Sequence, residues 1–298
     1  MHPIFPSELV LLTIFFMTDI LISNPQLFNE KLKNIITWWP EHFHVIADFD
    51  RTLTKAFAEG KPTVSLITRL QNWFYPPEYA EKSNAIFDKY HPIEIDSTIP
   101  LDEKKKAMEK RWDEQFALML DYGLTRKIIE DAIASEETNF RLWCGDFFDL
   151  LYANAIPLLI LSASGLGYDS IYYCLQHEHK LYDNIDIISN DFVWDESWKA
   201  IGVREPIIHS FNKDETIVKN FPIYDEIKDR KNILLLGDGL WDAEMANGFD
   251  YENIIKIWFL NNDTPENREK FQKTFDVVIL GDGAMEEVNA ILKKILAI

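Results

Sequence analysis

The feature that most constrains this chain is a series of short apolar runs, each stopping at a polar residue and most followed by a stretch with helical spacing. The runs are Phe43 to Ala47, Pro157 to Leu161, Ile185 to Ile188, Ile207 to Phe211, Ile233 to Leu236, Ile255 to Leu260 and Val277 to Leu280. Near-continuous hydrophobicity, as in PLLIL or ILLL, suits strands buried on both faces of a parallel sheet covered by helices. The expectation is an α/β fold, a doubly wound, mainly parallel Rossmann-like core.

Between the first and second runs lie about a hundred residues, against the roughly 2–6 of an ordinary βα connection. Their apolar residues recur at three- and four-residue spacing over Pro62 to Phe74, Tyr79 to Tyr90, Leu101 to Tyr122 and Thr125 to Ser135, which predicts helices. The expected organisation is a core from residues 17–58 and 140–298, with residues 59–139 inserted as an α-helical cap. At 47% apolar and 13% aromatic, the 298 residues can fill such a core, and no repeat interrupts it. The formal charge of −19 argues against nucleic acid as a partner.

Cys144 and Cys174 form no Cys-x-x-Cys pair, so buried free thiols are expected rather than a disulfide framework. Near the N-terminus, Leu9 to Phe16 is apolar but has no preceding Lys or Arg, and Asp19 stops it well short of the roughly 20 residues of a membrane span. Residues 1–16 are read as an extension outside the fold, with Met17 as a candidate start. The expected setting is cytoplasmic, without a membrane partner and as a monomer.

In open α/β sheets ligands bind beyond the carboxyl ends of the strands. The first run ends in Asp48-Phe49-Asp50-Arg51-Thr52, where alternation lets Asp48 and Asp50 face one cleft while Phe49 turns away. Two such carboxylates repel, so a cation or a shared proton is expected between them. The second run ends in Ser162-Ala163-Ser164-Gly165, a seat for phosphate oxygens ahead of a helix. Lys213 follows the fourth run and supplies positive charge. The fifth ends in Gly237-Asp238-Gly239-Leu240-Trp241-Asp242, adding two carboxylates four residues apart. Oxygen-only donors suit a hard cation, and Mg²⁺ is the expected cofactor. Gly281-Asp282-Gly283 with Glu286 imitates the Asp238 motif but opens the last helix, so turn and capping chemistry is expected there.

This ordered set resembles the haloacid dehalogenase superfamily of phosphatases. DFDRTLTKAF, IEID, SAS-G, HSFNKDET, LLLGDGLWDAEMA and VVIL together resemble the cytosolic pyrimidine 5′-nucleotidase family of type III, including relatives that accept 7-methylguanosine monophosphate, from Ile22-Ser23-Asn24-Pro25 to the C-terminus. The resemblance implies that Asp48 is the nucleophile and Asp50 the acid and base. It implies that Asp48, Asp238 and the backbone carbonyl of Asp50 hold Mg²⁺ while Asp242 orients the metal shell. Ser162, Ala163 and Lys213 would clamp the phosphoryl group, and Thr52 would brace the loop.

In the cap, Glu94 matches the family's base-contacting glutamate. Three departures stand out: Ser164 is an extra residue in the second motif, Gln115 stands in place of a serine beside the base, and Arg111 stands in place of an aromatic. Trp112 takes over the stacking surface. The implied function is Mg²⁺-dependent hydrolysis of a nucleoside 5′-monophosphate, pyrimidine or 7-methylguanine, through an aspartyl-phosphate. The alternatives are a phosphatase for a non-nucleotide ester and a non-catalytic nucleotide or Mg²⁺ binding module.

Overall fold

Six of the seven apolar runs are strands in the computed structural model, which describes residues 20–298 apart from 39, 59, 64, 136 and 137. The extension expected over residues 1–16 lies outside the described residues. The main sheet contains β1 (Ile20–Ile22), β2 (Phe43–Ala47), β3 (Leu158–Leu161), β4 (Ile185–Ile188), β5 (Asn232–Gly237), β6 (Asn253–Leu260) and β7 (Val277–Leu280). Their spatial order is β1-β7-β6-β5-β2-β3-β4, and every pair is parallel except β1 with β7. From β2 the chain winds outward through β3 and β4, then returns to β2's other side for β5, β6 and β7. The switch point therefore falls between β2 and β5, where Ala47 is in register with Leu236.

Alternation explains why these runs are apolar throughout. Val45, Ala47, Leu234 and Leu236 pack on one face, whereas Ile46, Leu159, Leu161 and Leu235 pack on the other. The first face is covered by α1 (Pro25–Trp38), which brings Phe28, Leu32 and Ile35. Four helices of the inserted segment follow in the chain: α2 (Leu66–Trp73), α3 (Pro77–Ile95), α4 (Leu101–Asp121) and α5 (Arg126–Ala134). Next come α6 (Cys144–Ala153) and α7 (Gly167–His177) on the first face, then α8 (Glu215–Val218), α9 (Ile223–Ile227) and α10 (Pro265–Thr274) on the second, and finally α11 (Glu286–Leu296) on the first. Cys144 and Cys174 are buried and free.

The run Ile207 to Phe211 is not a strand. Asparagine side chains take its backbone groups: Asn190 Oδ1 accepts from Ile208 N at 2.8 Å, and Asn190 Nδ2 donates to Ile208 O at 3.0 Å. Asn212 Nδ2 donates to Ile207 O at 2.8 Å. With its polar groups satisfied locally the segment needs no ladder, and it delivers Lys213 from a loop instead of a strand end.

In the inserted segment, Thr125 Oγ1 accepts from Ile128 N at 3.2 Å and caps α5. The α3 helix extends past Tyr90 to Ile95 with Pro92 inside it. Proline removes one helical bond, but Tyr90 and Glu94 are buried on either side of it and bond to α4 through Glu114 at 2.7 Å and Arg111 at 2.8 Å. The chain leaves and re-enters the core through paired segments, with Lys55 N donating to Asn139 O at 2.7 Å and Arg141 N to Leu53 O at 3.0 Å. A hairpin, Phe192–Trp194 with Ala200–Val203, leaves the sheet and packs against α4, where Phe192 meets Phe116 edge-on at 5.7 Å. Among the described residues no helix is long and apolar enough to cross a membrane.

Leu234 is fully buried in β5, at the centre of the sheet. Its replacement by alanine is expected to lower stability by about 2–5 kcal/mol in urea unfolding. A loss below about 1 kcal/mol would contradict this packing.

Candidate active site

The switch point brings the strand-end carboxylates together. Asp48 N donates to Leu236 O at 3.1 Å, so the chain beyond β2 continues alongside β5 toward Asp238. Close approach requires Gly237, because a Cβ there would stand 2.5 Å from the Trp258 ring and 2.8 Å from Asp242 Cβ. Asp48, Asp238 and Asp242 each offer an oxygen within 4.8 Å of the others. Lys213 Nζ bridges two of them, at 2.8 Å from Asp48 Oδ1 and 2.5 Å from Asp242 Oδ1. Thr52 Oγ1 donates to Asp48 Oδ2 at 3.2 Å, and Asp242 Oδ2 accepts from Gly239 N at 2.9 Å.

One buried ammonium does not balance three carboxylates. Burial raises Asp48 to about 7; Lys213 opposes that shift and Asp242 adds to it. Burial likewise raises Asp238 to about 8, with Asp242 and Asp48 reinforcing it. Burial works to lower Lys213, yet Asp242 and Asp48 together hold it above the usual lysine range. The cluster therefore has room for further positive charge. Its all-oxygen donors suit a hard divalent cation such as Mg²⁺.

Asp50 lies just outside the cluster, while Phe49 is buried in the core, as alternation requires. The chain turns sharply at Arg51, whose φ is +61°, a conformation few non-glycine residues adopt. Arg141 fixes that turn: Nη2 donates to Arg51 O at 2.5 Å and Nε to Thr52 O at 2.7 Å. The same guanidinium donates to Asn261 Oδ1 at 2.7 Å, and Asn261 Nδ2 reaches Asp238 Oδ2 at 3.1 Å. Asp282 does not cap the last helix. It accepts from Ala56 N at 2.8 Å and Phe57 N at 3.1 Å, and pairs with Arg141 at 3.2 Å.

Arg141, Asn261 and Asp282 were not singled out as site residues from the sequence. Asn261 and Asp282 follow β6 and β7, so the strand-end rule marks both positions. Arg141 carries no such mark, because its partners are mainly backbone carbonyls distant in sequence.

Asp50, Arg51, Ala163, Ser164 and Gly165 line one end of a cavity of about 430 Å³. The other end is lined by Ser83, Phe87, Arg111, Trp112 and Gln115 from α3 and α4. Ser162 is buried beneath the loop, and its Oγ accepts from Ser164 N at 3.2 Å. Ser164, the extra residue, turns its hydroxyl to Ser170 Oγ at 3.3 Å. A Cβ on Gly165 would lie 2.7 Å from Trp112, so this loop and α4 are in direct contact. Gln115 lies in a hydrogen-bonded chain, accepting from Ser83 Oγ at 3.1 Å and donating to Tyr79 Oη at 3.4 Å. Glu94 is buried and already partnered, by Arg111 Nη1 at 2.8 Å and Ser210 Oγ at 2.7 Å.

Comparison with solved structures defines the class. A HAD family hydrolase from Salmonella enterica aligns over 90% of this chain and 81% of its own at TM-score 0.50 and 13% identity, a likeness of fold. The fold is that of the haloacid dehalogenase-like phosphatases. Within that class, the family model described as Pyrimidine 5′-nucleotidase (UMPH-1) matches residues 51–296, and the chain belongs to this family.

The 7-methylguanosine phosphate-specific 5′-nucleotidase A of Xenopus laevis is 32% identical over 93% of this chain and 95% of its own length. The human 7-methylguanosine phosphate-specific 5′-nucleotidase is 31% identical over 86% and 85%. The crystal structure of cytosolic 5′-nucleotidase IIIB bound to cytidine superposes at TM-score 0.85 with 27% identity, covering 93% of this chain and 94% of that one. The activity is that of a 5′-nucleotidase, a phosphoric monoester hydrolase.

The raised carboxyls make stability depend on pH. In metal-free protein, folding keeps protons on Asp48 and Asp238 that the unfolded chain releases at a carboxyl value of about 4. Their contribution is full below that value and is lost as pH rises through about 7 to 8. The melting temperature of chelator-treated wild type is therefore expected to fall relative to Asp238→Asn between pH 5.5 and 8.5. A difference that stays constant over this range would refute the electrostatic account.

Proposed function

We propose that the protein hydrolyses nucleoside 5′-monophosphates with a pyrimidine or 7-methylguanine base, in the cytoplasm, through an aspartyl-phosphate on Asp48. The observation that carries this reading is the meeting of Asp48, Asp238, Asp242 and Lys213 at two adjacent strand ends, beside a cavity of about 430 Å³ entered by Asp50. A volume of that order suits a small-molecule ligand. We assign residues 17–58 and 140–298 to the catalytic core and 59–139 to a cap that supplies the base end. The names of the 7-methylguanosine-specific relatives and of the cytidine-bound structure support both base classes.

In the proposed reaction, an Asp48 carboxylate oxygen attacks phosphorus as the bond to the ribose O5′ breaks. Asp50 donates its proton to that leaving oxygen. Burial raises Asp50 against the opposing charges of Arg51, Lys213 and Arg69, which favours its protonated form. Water then attacks the phosphorus of the aspartyl-phosphate, Asp50 takes the water's proton, and phosphate leaves with Asp48 restored. Lys213, Ser162 and the amide of Ala163 neutralise and orient the phosphoryl oxygens. Asp48, Asp238, Asp242 and the backbone carbonyl of Asp50 would hold Mg²⁺, which would supply divalent charge to offset these carboxylates toward a phosphate dianion.

Phosphate release from UMP, CMP and 7-methyl-GMP tests the assignment. Asp48→Asn is expected to abolish turnover, and Asp50→Asn to lower kcat by roughly 10²–10⁴. Wild-type rates in Asp48→Asn would overturn it. Turnover confined to sugar phosphates or phosphoserine would favour the non-nucleotide alternative. A phosphate mimic is expected to bind only when Mg²⁺ is present, and equal affinity after chelation would refute the metal's role.

A further inference from the structure

The base end of the cavity carries a charge that bears on which base it accepts. Among the described residues lining that end, Arg111 is the charged one; the other charged lining residues, Asp50 and Arg51, belong to the phosphate end. Its guanidinium carbon lies 5.3 Å from the Phe87 ring centroid and 5.3 Å from that of Trp112. Its Nη1 donates to Glu94 Oε2 at 2.8 Å, and the other Glu94 oxygen accepts from Ser210 Oγ at 2.7 Å. The Arg111 side chain is only 17% exposed, so solvent screens its charge weakly.

A 7-methylguanine ring carries a delocalised positive charge. Its favourable partners are aromatic faces and a free carboxylate. Here the aromatic faces of Phe87 and Trp112 already adjoin a guanidinium, and Glu94 is committed to Arg111 and Ser210. A cationic base entering this end would meet the Arg111 guanidinium with no uncommitted carboxylate beside it to offset the repulsion. A neutral pyrimidine would meet unused N–H donors of Arg111 suited to its exocyclic carbonyl oxygens.

We infer that Arg111, positioned by Glu94, determines base selectivity by admitting neutral pyrimidine nucleotides and repelling cationic 7-methylguanine nucleotides. The inference rests on the proposed nucleotidase reading and narrows it. Selectivity of this kind works by exclusion as well as attraction.

The test compares kcat/KM for UMP, CMP and 7-methyl-GMP, and equilibrium affinities for cytidine and 7-methylguanosine, in wild type and Arg111→Met. Wild type is expected to favour the pyrimidines. In the variant, pyrimidine kcat/KM is expected to fall about tenfold and that of 7-methyl-GMP to rise about tenfold, mainly through KM, with nucleoside affinities moving likewise. The readout is a ratio measured on one preparation, so loss of folded enzyme cancels.

Arg111→Met with Glu94→Gln, which leaves no unpaired carboxylate, is expected to lose the pyrimidine preference as well. An unchanged ratio in both variants, or a wild type that prefers 7-methyl-GMP, would overturn the role of Arg111. A wild type that hydrolyses other phosphate esters and no nucleotide would instead overturn the underlying reading.

Discussion

The Lys213 ammonium between Asp48 and Asp242 is the interaction on which the rest of the site depends. It ties the end of β2 to the turn after β5, the two strands at the switch point, and offsets part of the repulsion among three clustered carboxylates. That leaves a concentrated negative site in a chain already at −19. A phosphate dianion can approach only where the local field is reversed, and Lys213, the amides after Ser162 and a divalent cation are the means available. Overall acidity and anion binding are thus compatible, because one is a property of the whole surface and the other of one desolvated corner.

Around that corner a second buried cation does structural work. Arg141 joins the Arg51 turn, the Asn261 amide beside Asp238, and Asp282 at the end of β7. It also sits where the chain re-enters the core from the inserted helices, since its amide bonds to Leu53. The turn that carries Asp50, the residue that orients Asp238 and the base of the inserted segment are therefore held by one planar group whose fork of N–H donors reaches several acceptors at once.

At the far end of the cavity the same physics orders a polar wall. The Ser83–Gln115–Tyr79 hydrogen bonds and the Glu94–Arg111 pair fix the polar groups of α3 and α4 against each other. Pro92 within α3 does not disturb this arrangement, because the residues flanking it are anchored to α4. That wall is consequently pre-organised, with the Glu94 carboxylate behind it already paired.

The near-continuous apolar runs were enough to place six strands, because burial on both faces of a parallel sheet leaves a pattern that survives without tertiary information. They failed at Ile207 to Phe211, where the side chains of Asn190 and Asn212 satisfy the backbone in place of a strand ladder, which the apolar pattern of the run does not encode. The capping role expected of Asp282 also failed, because its partners Ala56, Phe57 and Arg141 lie far away in sequence. The sequence by itself determined the sheet class, the order of the acidic motifs and the residue types available for phosphate chemistry. Only the tertiary structure decided which carboxylates share Lys213, that Arg141 locks the loop, and that Glu94 faces Arg111. Those choices depend on electrostatic and hydrogen-bond partners from different strands and helices, whose proximity is created by folding.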